Sequence, residues 1–134
     1  MGLSTYLANA WLNHLFGKAT FTAPAHIYVF LSKADPTADG SGLLEPSSGS
    51  YARVETDASD WTEAADGGIE NAAAIVFPTP TADWGDLTHA GLADASSGGN
   101  VLVSAALPGS VEVINGSTAP TFEAGNLPFS VPWG

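Results

Sequence analysis

The side chains able to do chemistry in this sequence are three histidines, fourteen carboxylates and many hydroxyls. His14, His26 and His89 lie far apart along the chain. None belongs to a His-Glu-x-x-His run, the spacing that puts two imidazoles on one helical face around zinc. His89 reads as a hydrogen-bonded packing residue. The carboxylates gather in turns, as in Asp35-Pro-Thr-Ala-Asp39-Gly-Ser41. Calcium takes about six to eight oxygen ligands, but this segment lacks the alternating acceptors and the final Glu of a calcium loop. Asp as a turn cap is the expectation there. A glycosidase needs two carboxyls set roughly 5 to 9.5 Å apart across a cleft, and no spacing marks such a pair. There is no Gly-x-Ser-x-Gly elbow and no phosphate-binding Gly-Lys-Ser/Thr loop. Cysteine is absent, so thiolate chemistry and disulfides are excluded. The chain is expected to be no enzyme, with no cofactor and no metal.

Composition narrows the partners. Of 134 residues, 13% are charged and the formal net charge is −11; the only Lys and Arg residues are Lys18, Lys33 and Arg53. An acidic surface repels phosphate backbones and anionic membranes, so neither nucleic acid nor membrane is an expected partner. A basic protein surface is compatible with it, and so is simple solubility. No stretch of about 18 apolar residues is present, and no basic segment precedes Lys18 to mark a signal peptide.

The elements that would position these groups follow from periodicity. Residues 3–16 read as a helix capped by Ser4 and stopped by Gly17, with Lys18 complementing its C-terminal end. Leu3, Leu7, Trp11 and Leu15 recur every four residues, with Ala8, Leu12 and Phe16 beside them and Asn9 and Asn13 opposite. This apolar face either closes its own sandwich or docks on a neighbouring subunit. Beyond it the period becomes two. Residues 25–32 read as a central strand covered on both faces, and 34–50 as a long polar loop, functional or mobile. Further strands are expected over 50–56, 71–77, 84–93 (interrupted or bulged at Gly91), 100–107, 110–114, 118–122 and 127–133. Residues 57–71 form a loop anchored by Trp61. Asn115-Gly116 is a hairpin turn rather than a glycan acceptor. Pro128 and Pro132 push the last strand to an edge.

Six to eight short strands with Gly- and Pro-rich turns predict an all-β fold, an antiparallel β-sandwich or barrel-like body with one N-terminal α-helix. Residues 1–134 read as a single domain, with the helix at 3–16 and the β-sandwich over 25–133.

Several stretches also carry a likeness. Tyr6-Leu-Ala-Asn-Ala-Trp-Leu-Asn-His-Leu-Phe-Gly17, Thr22-Ala-Pro-Ala-His-Ile-Tyr-Val-Phe-Leu31 and Tyr51-Ala-Arg-Val54 are three. Phe77-Pro-Thr-Pro-Thr-Ala-Asp-Trp-Gly85, residues 87–102 and Phe122-Glu-Ala-Gly-Asn-Leu127 are the others. In this order they resemble a group of small bacteriophage virion proteins labelled tail-fibre-like or structural. The likeness implies a noncatalytic virion part. Family members commonly end in an alternating Leu-Thr-Val-Thr-Leu strand, whereas this chain has Leu127-Pro-Phe-Ser-Val-Pro-Trp133.

Three functions follow as expectations. The first is a capsid-decorating or cement protein bound to the major capsid protein. The second is a tail or tail-fibre component bound to tail proteins. The third is a host-surface carbohydrate-binding module. In the first two the chain would be a homo-oligomer of closed symmetry, with a trimer as the guess, located in the virion and assembled in the host cytoplasm. The expected subunit-interface residues are Tyr6, Trp11, Leu15, Phe16 and Trp133. Trp61, Trp84 and His89 are the candidates for a ligand or loop site. The sign of a glycan platform would be Trp61 or Trp84 exposed beside Asp and Asn in a shallow groove, and full burial of both would weaken that reading sharply.

Overall fold

A computed structural model describes residues 2–131. The chain begins with β1 (Gly2–Leu3) and α1 (Thr5–Leu15). Then come β2 (Ile27–Ser32), β3 (Val54–Thr56) and a single 3-10 turn (Ala58–Asp60). The remaining strands are β4 (Gly68–Ile69), β5 (Ile75–Val76), β6 (Gly85–Ala93), β7 (Val101–Val113), β8 (Thr121–Phe122) and β9 (Phe129–Ser130). A five-stranded antiparallel sheet runs β1-β7-β6-β2-β3. Two small sheets, β4-β9 and β5-β8, complete the fold. The architecture is all-β and sandwich-like with one helix.

The main core lies between the large sheet and the small ones. Val29, Leu31, Leu87, Leu92 and Val103 of the large sheet meet Ile75, Phe77, Leu127 and Phe129 from the other layer. Alternation along β2 turns Phe30 to the opposite face, where it packs with Ala93 and Val101 under Leu43. This strand is central and covered on both sides. Asn71 stitches the second layer together. It is buried, its Nδ2 donates to the carbonyls of Ala73, Phe122 and Glu123, and its Oδ1 accepts from the Leu127 N–H at 2.9 Å.

The helix starts at Thr5, two residues later than its apolar period suggests. Leu3 belongs to β1, pairing with Val103, because an extended Ser4 precedes the first turn as its cap. Residues 101–113 form one strand where the proline and glycine at 108 and 109 predicted two. Leu87 pairs with Val111 and His89 with Ala106, so two steps on β6 face five on β7. That bulge carries Pro108 out of the ladder, where its missing N–H costs nothing. Gly91 is no bulge. It is in register with Phe30 and Ser104, and the register shifts flank it at Leu87/His89 and Leu92/Ala93.

The loop 34–50 is strapped to the sheet. Lys33 N–H donates to Leu44 O at 2.8 Å and Leu44 N–H to Ser32 Oγ at 3.0 Å. Asp39 caps its own turn. Bonds from the Ser41 hydroxyl and N–H, and from Thr37, hold its carboxyl at about 2. The loop then brings Glu45 to Tyr51 and Arg53. Tyr51 accepts from Leu31 N–H at 3.0 Å and donates to Glu45 Oε1 at 2.7 Å.

Burial, and then the hydrogen bond to Glu45, push the Tyr51 phenol far above its ordinary value of 10. Its stability contribution is therefore complete below pH 10 and is lost as pH rises further. Unfolding free energy should fall above pH 10 by about 1.4 kcal/mol per pH unit for this one proton. Denaturant titrations of the protein and of Tyr51→Phe across that range check this. The variant, less stable at neutral pH, should show a shallower slope; equal slopes would remove Tyr51 as the cause.

Candidate functional site

The helix is the feature whose chemistry its own subunit does not use. Its N-terminal end is riveted down. Ser4 is buried, its N–H donates to Leu102 O at 2.9 Å, and its Oγ accepts from Leu7 N–H at 3.1 Å. Thr5 N–H donates to Ala38 O at 2.8 Å. Leu7 enters the main core against β7 and is the one buried residue of the helix.

From there the helix runs out over solvent. Trp11 is 41% exposed, Leu12 56%, Leu15 76% and Phe16 70%. Tyr6 is also exposed, on another side of the turn. The projecting end is nevertheless well built. Lys18 N–H donates to Asn13 O at 2.8 Å and Gly17 N–H to His14 O at 3.2 Å, a Schellman closure with Gly17 at φ 73°. His14 Nδ1 accepts from Phe21 N–H at 3.0 Å and ties the returning chain across the last turn. These bonds stabilise a short helix that would otherwise be marginal in water. The site is thus a preformed apolar ridge, Trp11-Leu15 beside Leu12-Phe16, at i, i+4 spacing.

Of the expected interface residues, Tyr6, Trp11 and Leu15 lie on α1 and Phe16 caps its C-terminal end, and all are exposed. Trp133 lies outside the described residues. Leu12, absent from the expected set, belongs to the same ridge; its four-residue spacing to Phe16 is the signal that finds it.

The expected ligand residues do not come together. Trp84 is 2% exposed, donates from Nε1 to Gly49 O at 2.9 Å, and stands edge-on to Tyr51 at 5.2 Å. It is a core anchor in the main cluster beside Tyr51, and it offers no face to a sugar. Trp61 is half-buried, its Nε1 donates to Thr56 Oγ1 at 2.9 Å, and its ring lies 5.6 Å from Phe129. His89 on β6 is half-buried, with Nδ1 2.8 Å from Thr88 Oγ1. It lines an open groove of about 390 Å³ with Leu3, Asp35 and Ser104. A second groove, about 400 Å³, runs along Glu63, Ile69, Glu70 and Phe129. No tryptophan lines either groove. His14 and His26 lie on separate elements from His89, and His26 meets Asp57 at the surface at 2.8 Å. Among the described residues no helix is long and apolar enough to cross a membrane.

Sequence reasoning missed the network around Arg53. Its side chain is 3% exposed and bonds Glu45 through Nε and Nη2, both at 2.9 Å. Its Nη1 donates to Ala95 O at 2.7 Å and Gly98 O at 3.0 Å. Nothing in the spacing of these residues marks them as partners.

No curated protein matches the chain. A family model described as Podophage GP4 fiber I protein gp80 matches residues 2–130, nearly the whole length. The β-rich body, the bare apolar helix and this match lead to one identification: the chain belongs to the podophage GP4 fiber I protein gp80 family and is a phage fibre-type structural protein of the virion.

Proposed function

We propose that this protein is a noncatalytic component of the phage tail fibres, one domain over residues 1–134, seated on neighbouring virion subunits through the exposed ridge of α1. The exposure of Trp11, Leu12, Leu15 and Phe16 on a capped, anchored helix carries the reading. Burying an aromatic or leucine side chain is worth about 1.5–3 kcal/mol. Four such side chains at one spot can drive assembly, and interfaces enrich for tryptophan. A fibre protein needs this more than a cleft, and it needs no cofactor.

The capsid-decorating reading uses the same ridge against the major capsid protein. The family favours the fibre, with tail proteins as partners. The carbohydrate-binding reading is weakened at Trp84, which is buried, and has less support at Trp61, which is half-buried and lines neither groove. The acidic charge disfavours nucleic acid as a partner.

Cryo-electron microscopy of intact particles tests this. A few copies at the tail, with α1 covered by neighbouring density, is the expected result. Many copies spread over the shell would replace the fibre with decoration. A helix left facing solvent in the particle would end the docking role of α1.

A further inference from the structure

We infer that Asn115 is a site of spontaneous covalent modification in the folded protein, where its side-chain amide is lost by ring closure onto the Gly116 nitrogen. The inference is independent of the role proposed for α1.

The step needs a main-chain nitrogen free to attack the preceding Asn carboxamide. The bond from Gly116 N to Asn115 Cγ forms, the bond from Cγ to the side-chain nitrogen breaks, and that nitrogen leaves with the Gly116 proton as ammonia. Water then opens the cyclic imide. Opening at Cγ leaves aspartate; opening at the main-chain carbonyl leaves isoaspartate, whose backbone is longer by one methylene.

Six asparagines could react, and only Asn115 precedes a glycine. The structure closes the route at the other five by holding the nitrogen that would attack. Asn9 and Asn13 lie in α1, where the next N–H is bonded within the helix. Asn71 is buried, and the N–H after it donates to Asp60 O at 2.7 Å. Asn100 precedes Val101 in the ladder with β6, and its own Nδ2 donates to Asp94 Oδ2 at 2.9 Å. Asn126 precedes Leu127, whose N–H donates to Asn71 Oδ1 at 2.9 Å.

At 115–116 the turn is held on either side of the reacting pair. Asn115 N–H donates to Asp83 Oδ1 at 2.8 Å and Ser117 N–H to Ile114 O at 3.0 Å. The nitrogen between them is loosely held, because Gly116 N lies 3.4 Å from Pro80 O, long for such a bond. Asn115 and Gly116 are both exposed, and a Cβ on Gly116 would meet nothing within 4 Å. Carboxamide and nitrogen therefore have room to close, and water has access to the imide.

The product matters to the fold. This turn carries the chain from β7 in the large sheet to β8 in the second layer, where Phe122 packs edge-on to Phe77 at 6.3 Å. Isoaspartate lengthens the backbone inside it, and either product adds a carboxylate beside Asp83. A virion subunit is not renewed once the particle has left its host, so the change accumulates with age.

Peptide mapping by mass spectrometry tests this on the purified full chain, held folded in warm, mildly alkaline buffer beside a urea-denatured sample. Fragmentation that separates aspartate from isoaspartate reads each site. In the folded protein Asn115 should convert at least about tenfold faster than any other asparagine, a barrier lower by about 1.4 kcal/mol. Asn115→Gln, which must close a larger ring, should keep its amide and its circular dichroism. Conversion at 115 in urea alone would overturn the inference, because the folded turn would then protect the amide. Equal conversion at another asparagine of the folded chain would overturn it too.

Discussion

Gly91→Val should lower the thermal midpoint by roughly 10–20 °C, or leave no folded protein to melt. Gly91 sits mid-strand in β6, between Phe30 of β2 and Ser104 of β7. A Cβ there would stand 2.3 Å from the Val103 carbonyl oxygen and 2.4 Å from Phe30 Cζ. Neither neighbour can give way easily. The carbonyl belongs to the adjoining strand, and Phe30 is fully buried between Ala93 and Val101. Overpacking a core costs about 1–3 kcal/mol when side chains can shift. Here backbone must move in the centre of the largest sheet, so about 3 kcal/mol or more is expected. That is a large part of the roughly 5–15 kcal/mol by which such domains are stable, and for this size it gives the shift above. Calorimetry decides. A loss under about 1 kcal/mol would mean that the two strands separate without cost, and that the glycine is not needed for their close approach.

Arg53→Met should cost about 3–5 kcal/mol, read as a lowered denaturant midpoint with an unchanged slope. The substitution keeps much of the apolar stem but strands the Glu45 carboxylate in a mostly buried position. It also removes the donor shared by Ala95 O and Gly98 O, and the cation 6.0 Å from the Phe30 ring centre. The informative comparison is the double change Arg53→Met with Glu45→Met. A buried ion pair replaced by apolar groups is often neutral, whereas one charge left alone is severely destabilising. The double variant should therefore regain most of the loss. If it stays as unstable as the single one, the guanidinium acts through the 95–98 turn and not through Glu45.

These two residues show where sequence reading stops. Gly91 reads as an irregularity in a strand, since glycine is common at bulges. Its actual reason, a phenyl ring and a carbonyl on two other strands, exists only once β2, β6 and β7 are side by side. Arg53 reads as a surface charge on an alternating strand. It becomes a buried hub because loop 34–50 folds back to deliver Glu45, and because the 95–98 turn, more than forty residues onward, offers two carbonyls.

The helix divides the same way. Its existence, cap and stop were local matters, legible in Ser4, the four-residue apolar period and Gly17-Lys18. The alternation of β2 was local too, and the ordered likeness along the chain was legible as family; Asn115-Gly116 does turn the chain, but the expected hairpin is absent, because β7 before it pairs with β6 and β8 after it crosses to β5. Local rules work there because φ/ψ preference and side-chain spacing act between residues a few positions apart. They say that an apolar face exists and not what covers it. Two tryptophans with equal sequence credentials parted in three dimensions, Trp84 sealed under Gly49 and Tyr51 and Trp11 left on an open ridge. Only the tertiary structure decided that, because burial depends on which distant segments arrive at a surface. At α1 the large sheet accepts Leu7 and leaves Trp11, Leu12, Leu15 and Phe16 exposed.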